Sequence, residues 1–314
     1  MTQGAFRTLR VEHDTHYVYG APVELAHHVA YLRPLHDERQ RLSAFALTID
    51  PPPSHLSSGT DVFGNTRQFF TATAPHRELR VHAASRVAIA SRLGPAFDPA
   101  STLPWEAVRE RLRYVAAARL EPACEFCVPS PFVPRLPALA DYALPSFAPG
   151  RPIADAAIDL MRRVHADFRY QTAATAVDTP LAVAFERRVG VCQDFSHVLL
   201  GALRALGLAA RYVSGYLLTA AAGEPGAMAG ADASHAWVGV WCPGVGGPAG
   251  AWLDVDPTND CLVSTRHVRL AVGRDYGDVT PLRGVIRGGG THTLAVRVGT
   301  TVDDEVAPAH VNGA

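Results

Sequence analysis

A cysteine, a histidine and two aspartates occur in this order in three separate segments of the chain. Cys192 lies in the segment GVCQDFSH, His235 in SHAWVGVW, and Asp254 and Asp256 in AWLDVDPTN. A cysteine thiolate can attack a carbonyl carbon when an imidazole serves as its base and a carboxylate orients that imidazole. The residue types therefore point to nucleophilic catalysis, provided that the fold brings the three segments together.

The segment around Cys192 predicts a helix that begins at or beside the cysteine. Apolar residues recur behind Cys192 at three- and four-residue spacing, and Gly207 offers a stop. The free N–H groups and positive dipole end of such a helix stabilise negative charge, which favours the thiolate. The Cys192 backbone N–H is also a candidate oxyanion donor. An isolated cysteine is more often a buried core residue, so the catalytic interpretation depends on its downstream partners.

Two predicted strands carry these partners. Residues 234–241 alternate, with His235 and Trp237 on one face, and residues 251–256 form a second strand after a Pro/Gly-rich turn. Adjacent strands joined by a turn bring His235 near Asp254 or Asp256. The two aspartates are two residues apart and share a face, so periodicity does not choose between them.

The segments GVCQDFSH, SHAW and WLDVDPTN resemble the three signature segments of the transglutaminase-like superfamily, whose catalytic core is related to papain. This resemblance implies that Cys192 is the nucleophile, His235 the base and Asp256 the orienting carboxylate. It leaves a second oxyanion donor unidentified, because Gln193 lies on the wrong side of the nucleophile for the papain-like glutamine. The oxyanion and cleft candidates by position are Cys192, Gln193, Trp237, Tyr216 and Arg211.

The elements that position these residues predict an α+β protein. We expect a β-rich N-terminal domain over residues 1–95, in which residues 79–89 make a long period-two face. A helical and Pro-rich connection follows over 96–150. The resemblance implies a catalytic domain over 151–299, with the nucleophile helix packed on an antiparallel sheet, and we expect 300–314 to be a flexible tail. The Ala/Gly-rich segment 219–233 is either a lid beside His235 or a plain surface hairpin.

Three functions fit this pattern. The first is hydrolysis of amide bonds in proteins or peptides through a thioester acyl-enzyme, as in a peptidase or amidase. The second is transamidation of protein glutamine, in which an amine resolves the thioester. The third is a binding module without catalysis, which the presence of all three triad residues disfavours.

Composition excludes several other classes. The 29 basic and 30 acidic residues nearly cancel, so no charge excess favours nucleic acid or an anionic membrane. Without a signal-like or spanning apolar run, we expect a cytoplasmic protein. The Ala- and Arg-rich composition and the resemblance to the bacterial branch of the superfamily indicate a bacterial source. Five cysteines argue against a disulfide scaffold. We expect no cofactor and no metal, since Cys124-x-x-Cys127 lacks a second pair and the histidines show no ligand spacing.

Overall fold

The computed structural model describes residues 6–91, 93–94, 97–117, 119–218, 228–230, 233–245 and 252–303. Most of the segment 219–233, predicted as a lid or hairpin, lies outside these residues. Among the described residues, no helix has both the length and the apolar character that a membrane crossing requires.

The N-terminal third forms an antiparallel sheet in which one very long strand pairs on both sides. Its spatial order is β2-β5-β1-β4-β3. The predicted period-two face over residues 79–89 is confirmed, because every second side chain from Leu79 to Ile89 is buried. The strands are β1 (Arg7–Ala30), β2 (Gln40–Asp50), β3 (His55–Thr60), β4 (Thr66–Ala72) and β5 (His76–Ile89).

The middle of the chain is mainly helical and surrounds the predicted nucleophile helix. Its helices are α1 (Trp105–Arg111), α2 (Pro137–Ala143), α3 (Ile153–Asp167), α4 (Leu181–Arg187) and α5 (Cys192–Ala205). Two short strands, β6 (Arg169–Tyr170) and β7 (Val189–Gly190), pair in parallel just before α5. Helices α2, α3 and α4 all pack against α5, so the helix that begins at Cys192 is the centre of this core.

Within the helical and Pro-rich connection, the proline density of residues 121–150 predicts an irregular segment, but the structure forms α2 there. Pro137 occupies the first turn of this helix, where a proline costs no hydrogen bond because that N–H would be unpaired anyway. Leu139 then packs against α5 at Gly201, where an added Cβ would lie 2.6 Å from Leu139 Cδ1. Proline density alone hid this element, because a proline at a helix start resembles a proline in a loop.

A second antiparallel sheet packs against α5 and has the strand order β11-β10-β9-β8-β12. We call it the catalytic sheet, because it carries the predicted base His235 and the predicted orienting residue Asp256. Its strands are β8 (Ala210–Leu217), β9 (His235–Trp241), β10 (Trp252–Asp256), β11 (Cys261–Leu262) and β12 (His267–Gly273), and the short helix α6 (Tyr276–Val279) follows. The α+β class, with a helix packed on an antiparallel sheet after a β-rich region, is confirmed.

The last two strands return to the N-terminal sheet. Strands β13 (Leu282–Gly288) and β14 (His292–Val302) both pair with β1. The predicted catalytic domain therefore contributes two strands to the other sheet, and β14 continues past residue 299, where we placed the tail. Residues 304–314 of that tail lie outside the described residues. Alternating side chains over 292–298 predict a strand, which β14 confirms, but alternation does not show which sheet the strand joins.

The two sheets are joined through two buried amide side chains. The Gln40 side chain bonds both the N–H and the C=O of Arg269, and the Asn65 side chain does the same for Val272, at 2.7 Å in all four bonds. Arg269 and Val272 belong to β12, which ends the strand order of the catalytic sheet. Edge strands carry unpaired backbone groups, and these amides satisfy four of them.

Candidate active site

Cys192 is the first residue of α5, as predicted. The two residues before it are shaped by Asp194, whose Oδ2 accepts bonds from the Val191 N–H at 2.8 Å and the Thr175 hydroxyl at 2.6 Å. A Cβ at Gly190 would collide with this carboxylate. The sequence Gly-Val-Cys-Gln-Asp thus encodes a helix start in which the Asp194 side chain accepts an N–H that the helix leaves unpaired.

His235 begins β9 and bonds one of its predicted partners, Asp256. Its Nε2 lies 2.8 Å from Asp256 Oδ2, and both side chains are completely buried. Burial opposes a charge on the imidazole, but the Asp256 carboxylate and the hydrogen-bonding interaction with Cys192 raise the pKa of His235 to about 10. Since Asp256 takes Nε2, Nδ1 is the ring nitrogen left for the thiol. Asp256 therefore holds one side of the imidazole, and Cys192 is near enough to the other side to influence its charge.

The Asp256 carboxylate is surrounded by donors. Burial favours its neutral form, yet the nearby His235 and His267 hold its pKa well below the usual range. Five groups donate to it: the backbone N–H groups of Thr258 and Asn259 to Oδ1, and the side chains of His235, Asn259 and His267 to Oδ2. Such saturation keeps the carboxylate ionised and fixed in orientation.

Asp254, the alternative that periodicity left open, is placed elsewhere. It lies opposite Gly239 in the β9–β10 register, and its Oδ1 is 3.9 Å from Arg211 Nη2. Each step from Trp252 toward Asp256 moves one residue closer to the His235 end of β9. The two aspartates lie on the same face of β10, and the register of β10 against β9 is what places only Asp256 beside His235.

Asn259 and His267 also contact Asp256 and were not identified from the sequence. Asn259 Nδ2 donates to Asp256 Oδ2 at 2.8 Å, while its Oδ1 accepts the Ala229 N–H at 2.8 Å. His267 Nε2 lies 3.4 Å from Asp256 Oδ2, and its Nδ1 accepts the Ser264 N–H at 3.3 Å, which leaves the ring proton on Nε2. Asn259 could have been identified from the sequence, because it directly follows the motif Asp256-Pro257-Thr258. No sequence motif includes His267.

Of the remaining cleft candidates, Gln193 and Trp237 pack beside the triad, whereas Tyr216 does not. The Gln193 amide donates to the Val177 carbonyl at 2.9 Å, and Trp237 packs against the rings of both His235 and His267. Tyr216 is a correction, because its hydroxyl meets His13 Nδ1 at 3.0 Å in the interface with the N-terminal sheet. The position of Tyr216 along β8 does not show that the N-terminal sheet covers its side of the strand.

Arg211 stacks on the Trp252 ring at the edge of a cavity. Its guanidinium lies 4.3 Å from the centroid of the Trp252 ring, and it lines a cavity of about 650 Å³ together with Phe63 and Phe126. This cavity borders the N-terminal domain.

The other cysteines lack a comparable setting. Cys124 and Cys127 lie in a 3-10 helix, and burial raises the pKa of Cys127 to about 11. Burial also raises the pKa of Cys261 to about 12, with Asp256 adding to the effect. All five cysteines are free.

Comparison with known proteins connects this geometry to described families. The pattern of the bacterial transglutaminase-like N-terminal region matches residues 9–88, and that of the transglutaminase-like superfamily core matches residues 143–257. An uncharacterized protein of Mycobacterium tuberculosis is 40% identical over 283 residues, which cover 88% of this chain and 87% of that protein.

Two further proteins are similar in sequence or in fold. A protein-glutamine gamma-glutamyltransferase of Pseudomonas aeruginosa is 37% identical over 129 residues, which make up 40% of this chain and 18% of that protein. A candidate cysteine protease from Cytophaga hutchinsonii superposes with a TM-score of 0.71 at 18% identity, covering 96% of this chain and 93% of that one. At this identity the superposition speaks for a shared fold.

Proposed function

The chain belongs to the transglutaminase-like superfamily of cysteine enzymes, and from this premise we propose that it hydrolyses amide bonds of proteins or peptides through Cys192, His235 and Asp256. The observation that carries the proposal is the buried 2.8 Å bond from His235 to Asp256 beside a thiol at a helix start. An imidazole held in this way is oriented to exchange a proton with the sulfur.

The reaction begins when the Cys192 sulfur attacks the amide carbonyl carbon. His235 holds the thiol proton, and the negative charge on the tetrahedral oxygen faces the N–H groups at the start of α5. Collapse of the intermediate breaks the C–N bond, and His235 passes its proton to the leaving amine. A thioester on Cys192 remains. Water activated by His235 then attacks the thioester, releases the acid and restores the thiol.

Asp256 acts on the imidazole rather than on the substrate. Its Oδ2 accepts the Nε2 proton, so the free electron pair of neutral His235 lies on Nδ1, toward Cys192. Its charge stabilises the imidazolium that forms at each transfer. The donors around Asp256 keep this carboxylate from turning away or taking up a proton.

Transamidation is the second candidate, favoured by the similarity to the protein-glutamine gamma-glutamyltransferase of Pseudomonas aeruginosa. Both reactions share the thioester and differ in the acceptor that resolves it. Hydrolysis ranks first because water needs no dedicated acceptor site.

A peptide-amide library, incubated with and without a primary amine, tests the proposal. We expect the free acid to dominate with the wild-type protein even in the presence of amine, and no product with Cys192→Ala. Mass spectra dominated by the amine adduct would instead make transamidation the function. Equal product from Cys192→Ala would remove the cysteine from the mechanism.

A further inference from the structure

Three potential metal ligands meet around Asp256. Asp256, Cys261 and His267 each offer one ligand atom, and these atoms lie within 4.8 Å of one another. Cys261 stands directly opposite Asp256 in the β10–β11 register, and His267 begins β12. Asp256 and His267 are buried and Cys261 is half-buried. This is the one such group among the residues that the structure describes.

The donor types match zinc. Thiolate sulfur, imidazole nitrogen and carboxylate oxygen are the three ligands that Zn²⁺ takes in proteins, at about 2.0–2.3 Å. Tetrahedral angles at those bond lengths place neighbouring ligand atoms about 3.3–3.6 Å apart. Asp256 Oδ2 and His267 Nε2 already lie 3.4 Å apart. The Cys261 sulfur must move closer to the other two ligand atoms for all three to bind one ion. Cys261 lies in a two-residue strand at the end of the sheet.

We propose that Asp256, Cys261 and His267 form a reversible Zn²⁺ site whose occupation inhibits the enzyme. The fourth coordination position is left to water, as is usual where a protein supplies three ligands. The binding part stands on the cluster alone, while the inhibitory part rests on the proposed function.

Inhibition follows from competition for one oxygen. Asp256 Oδ2 accepts the His235 Nε2–H at 2.8 Å, and the same oxygen faces His267. A metal bound there draws on the lone pairs that orient His235 and places positive charge beside the catalytic imidazole. The ring then loses the contact that directs Nδ1 toward Cys192.

Zinc binding displaces the thiol proton of Cys261 and shifts the ring proton of His267, and both changes reverse when the ion leaves. The Cys261 thiol proton leaves to solvent, and the His267 ring proton moves from Nε2 to Nδ1, which gives up the 3.3 Å contact with the Ser264 N–H. Without metal, His267 is satisfied by Asp256 and Ser264. His267 thus keeps two hydrogen-bond partners when no ion is bound, which suits an effector ion rather than a structural one.

Metal binding is tested first without any substrate. Cys192→Ala removes the other thiol–imidazole pair that could bind zinc, and Co²⁺ serves as the spectroscopic probe. In this variant we expect one Co²⁺ per chain, with a thiolate charge-transfer band and tetrahedral visible bands that Zn²⁺ displaces. Cys192→Ala/Cys261→Ala should bind at least tenfold more weakly and lose the charge-transfer band. The matched control Cys192→Ala/Cys124→Ala should behave like Cys192→Ala. No binding by Cys192→Ala, or an unchanged spectrum without Cys261, overturns the site.

Inhibition is tested separately in the chain that keeps Cys192. Activity of Cys261→Ser without metal should equal that of the wild type, while half-inhibition should need at least tenfold more Zn²⁺. Unchanged zinc sensitivity would place the inhibitory ion on Cys192 and His235 and overturn the inhibitory role. If Cys261→Ser melts early, Cys261→Ala takes its place. A Cys261-dependent cobalt spectrum in a chain that cleaves no amide would retain the site and reject the proposed function.

Discussion

Asp256 accepts five hydrogen bonds, whereas Asp254, two residues earlier, faces Arg211 at 3.9 Å. Both are buried aspartates on the same face of one strand, yet only Asp256 lies against His235. At the scale of single residues, the hydrogen-bond donors around each carboxylate distinguish the aspartate that can orient His235 from the one that cannot. Three of the five donors to Asp256 lie within three residues of it, since Thr258 and Asn259 turn back from the strand end.

The two aspartates predict opposite kinetic results. In Asp256→Asn, a side-chain NH₂ faces donors from His235, His267 and Asn259, which drives His235 to the wrong tautomer. In a serine-protease triad such a change costs about 10⁴ in turnover, and a charged Cys–His pair should lose about 10² or more. Asp254→Asn should stay within about tenfold, or about 1.4 kcal/mol of barrier. Turnover on one peptide amide, with melting curves for both variants, checks this. A reversed order would make Asp254 the orienting residue.

Thiol reactivity gives a second prediction at the same scale. Burial raises the pKa of Cys124, Cys127, Cys242 and Cys261, so these thiols remain protonated at neutral pH. A limiting dose of iodoacetamide should therefore label Cys192 first, as peptide mapping would detect. His235→Ala should slow that labelling by removing the imidazolium partner. Even labelling of all five cysteines in the folded protein would contradict the nucleophile assignment.

At the scale of elements, α5 is fixed at both ends. Asp194 and Gly190 shape its start, and at its far end the buried Arg204 donates to the carbonyls of Phe126, Ala210 and Arg274. The catalytic sheet is fixed through β12, whose backbone is bonded by Gln40 and Asn65. Asn65 is itself held by Asp61, which accepts its side-chain amide at 2.8 Å and its backbone N–H at 2.9 Å. The turn at Asp61–Asn65 therefore acts as a connector between the sheets.

Asn65→Ala should destabilise the protein measurably. It leaves both the N–H and the C=O of Val272 without their partner in a buried setting. One unsatisfied buried group costs about 1–3 kcal/mol, so we expect a loss of about 2 kcal/mol or more. Denaturant unfolding measures the loss. Gln171→Ala is the matched control, because this amide is exposed and should change stability by less than about 0.5 kcal/mol. Equal effects of the two variants would refute the connector role.

At the scale of the whole molecule, β1 unites the beginning and the end of the chain. It pairs with β5 and β14 along its first half and with β4 and β13 along its second. Apolar side chains of β1, β5 and β14 meet Tyr216 and Val268 of the catalytic sheet in one cluster. His13 lies in this interface, bonded to Tyr216 and Thr15. The N-terminal sheet is thus part of the support of the catalytic sheet.

Buried histidines predict acid sensitivity. Burial lowers the pKa of His13 and His28 to about 4 and that of His197 to about 3, from 6.5. Below pH 6.5 these histidines become protonated in the unfolded chain but stay neutral in the folded chain. The free energy of unfolding therefore falls as pH drops from 6.5 toward 4. Each site contributes at most about 1.4 kcal/mol per pH unit. Urea unfolding at pH 7 and pH 5 should show this loss, and His13→Gln should reduce it. Equal stability at both pH values would contradict the prediction.

Local patterns in the sequence determined the helix start at Cys192, the strands of His235 and Asp256, and the period-two face over 79–89. These follow from side-chain spacing and from the chemistry of a few neighbouring residues, which do not depend on the rest of the chain. The segments GVCQDFSH, SHAW and WLDVDPTN likewise pointed to the family, because each requires only a short stretch to be recognised.

Tertiary structure alone decided which distant groups meet. The register of β10 against β9 put Asp256 rather than Asp254 on His235, and the path of β12 brought His267 to the same carboxylate. The pairing of β13 and β14 with β1, and the burial of Tyr216 against His13, also depend on how the two sheets pack. Spacing along one element defines a face. The neighbour of that face is set by strand register and sheet packing, which involve residues far apart in the chain.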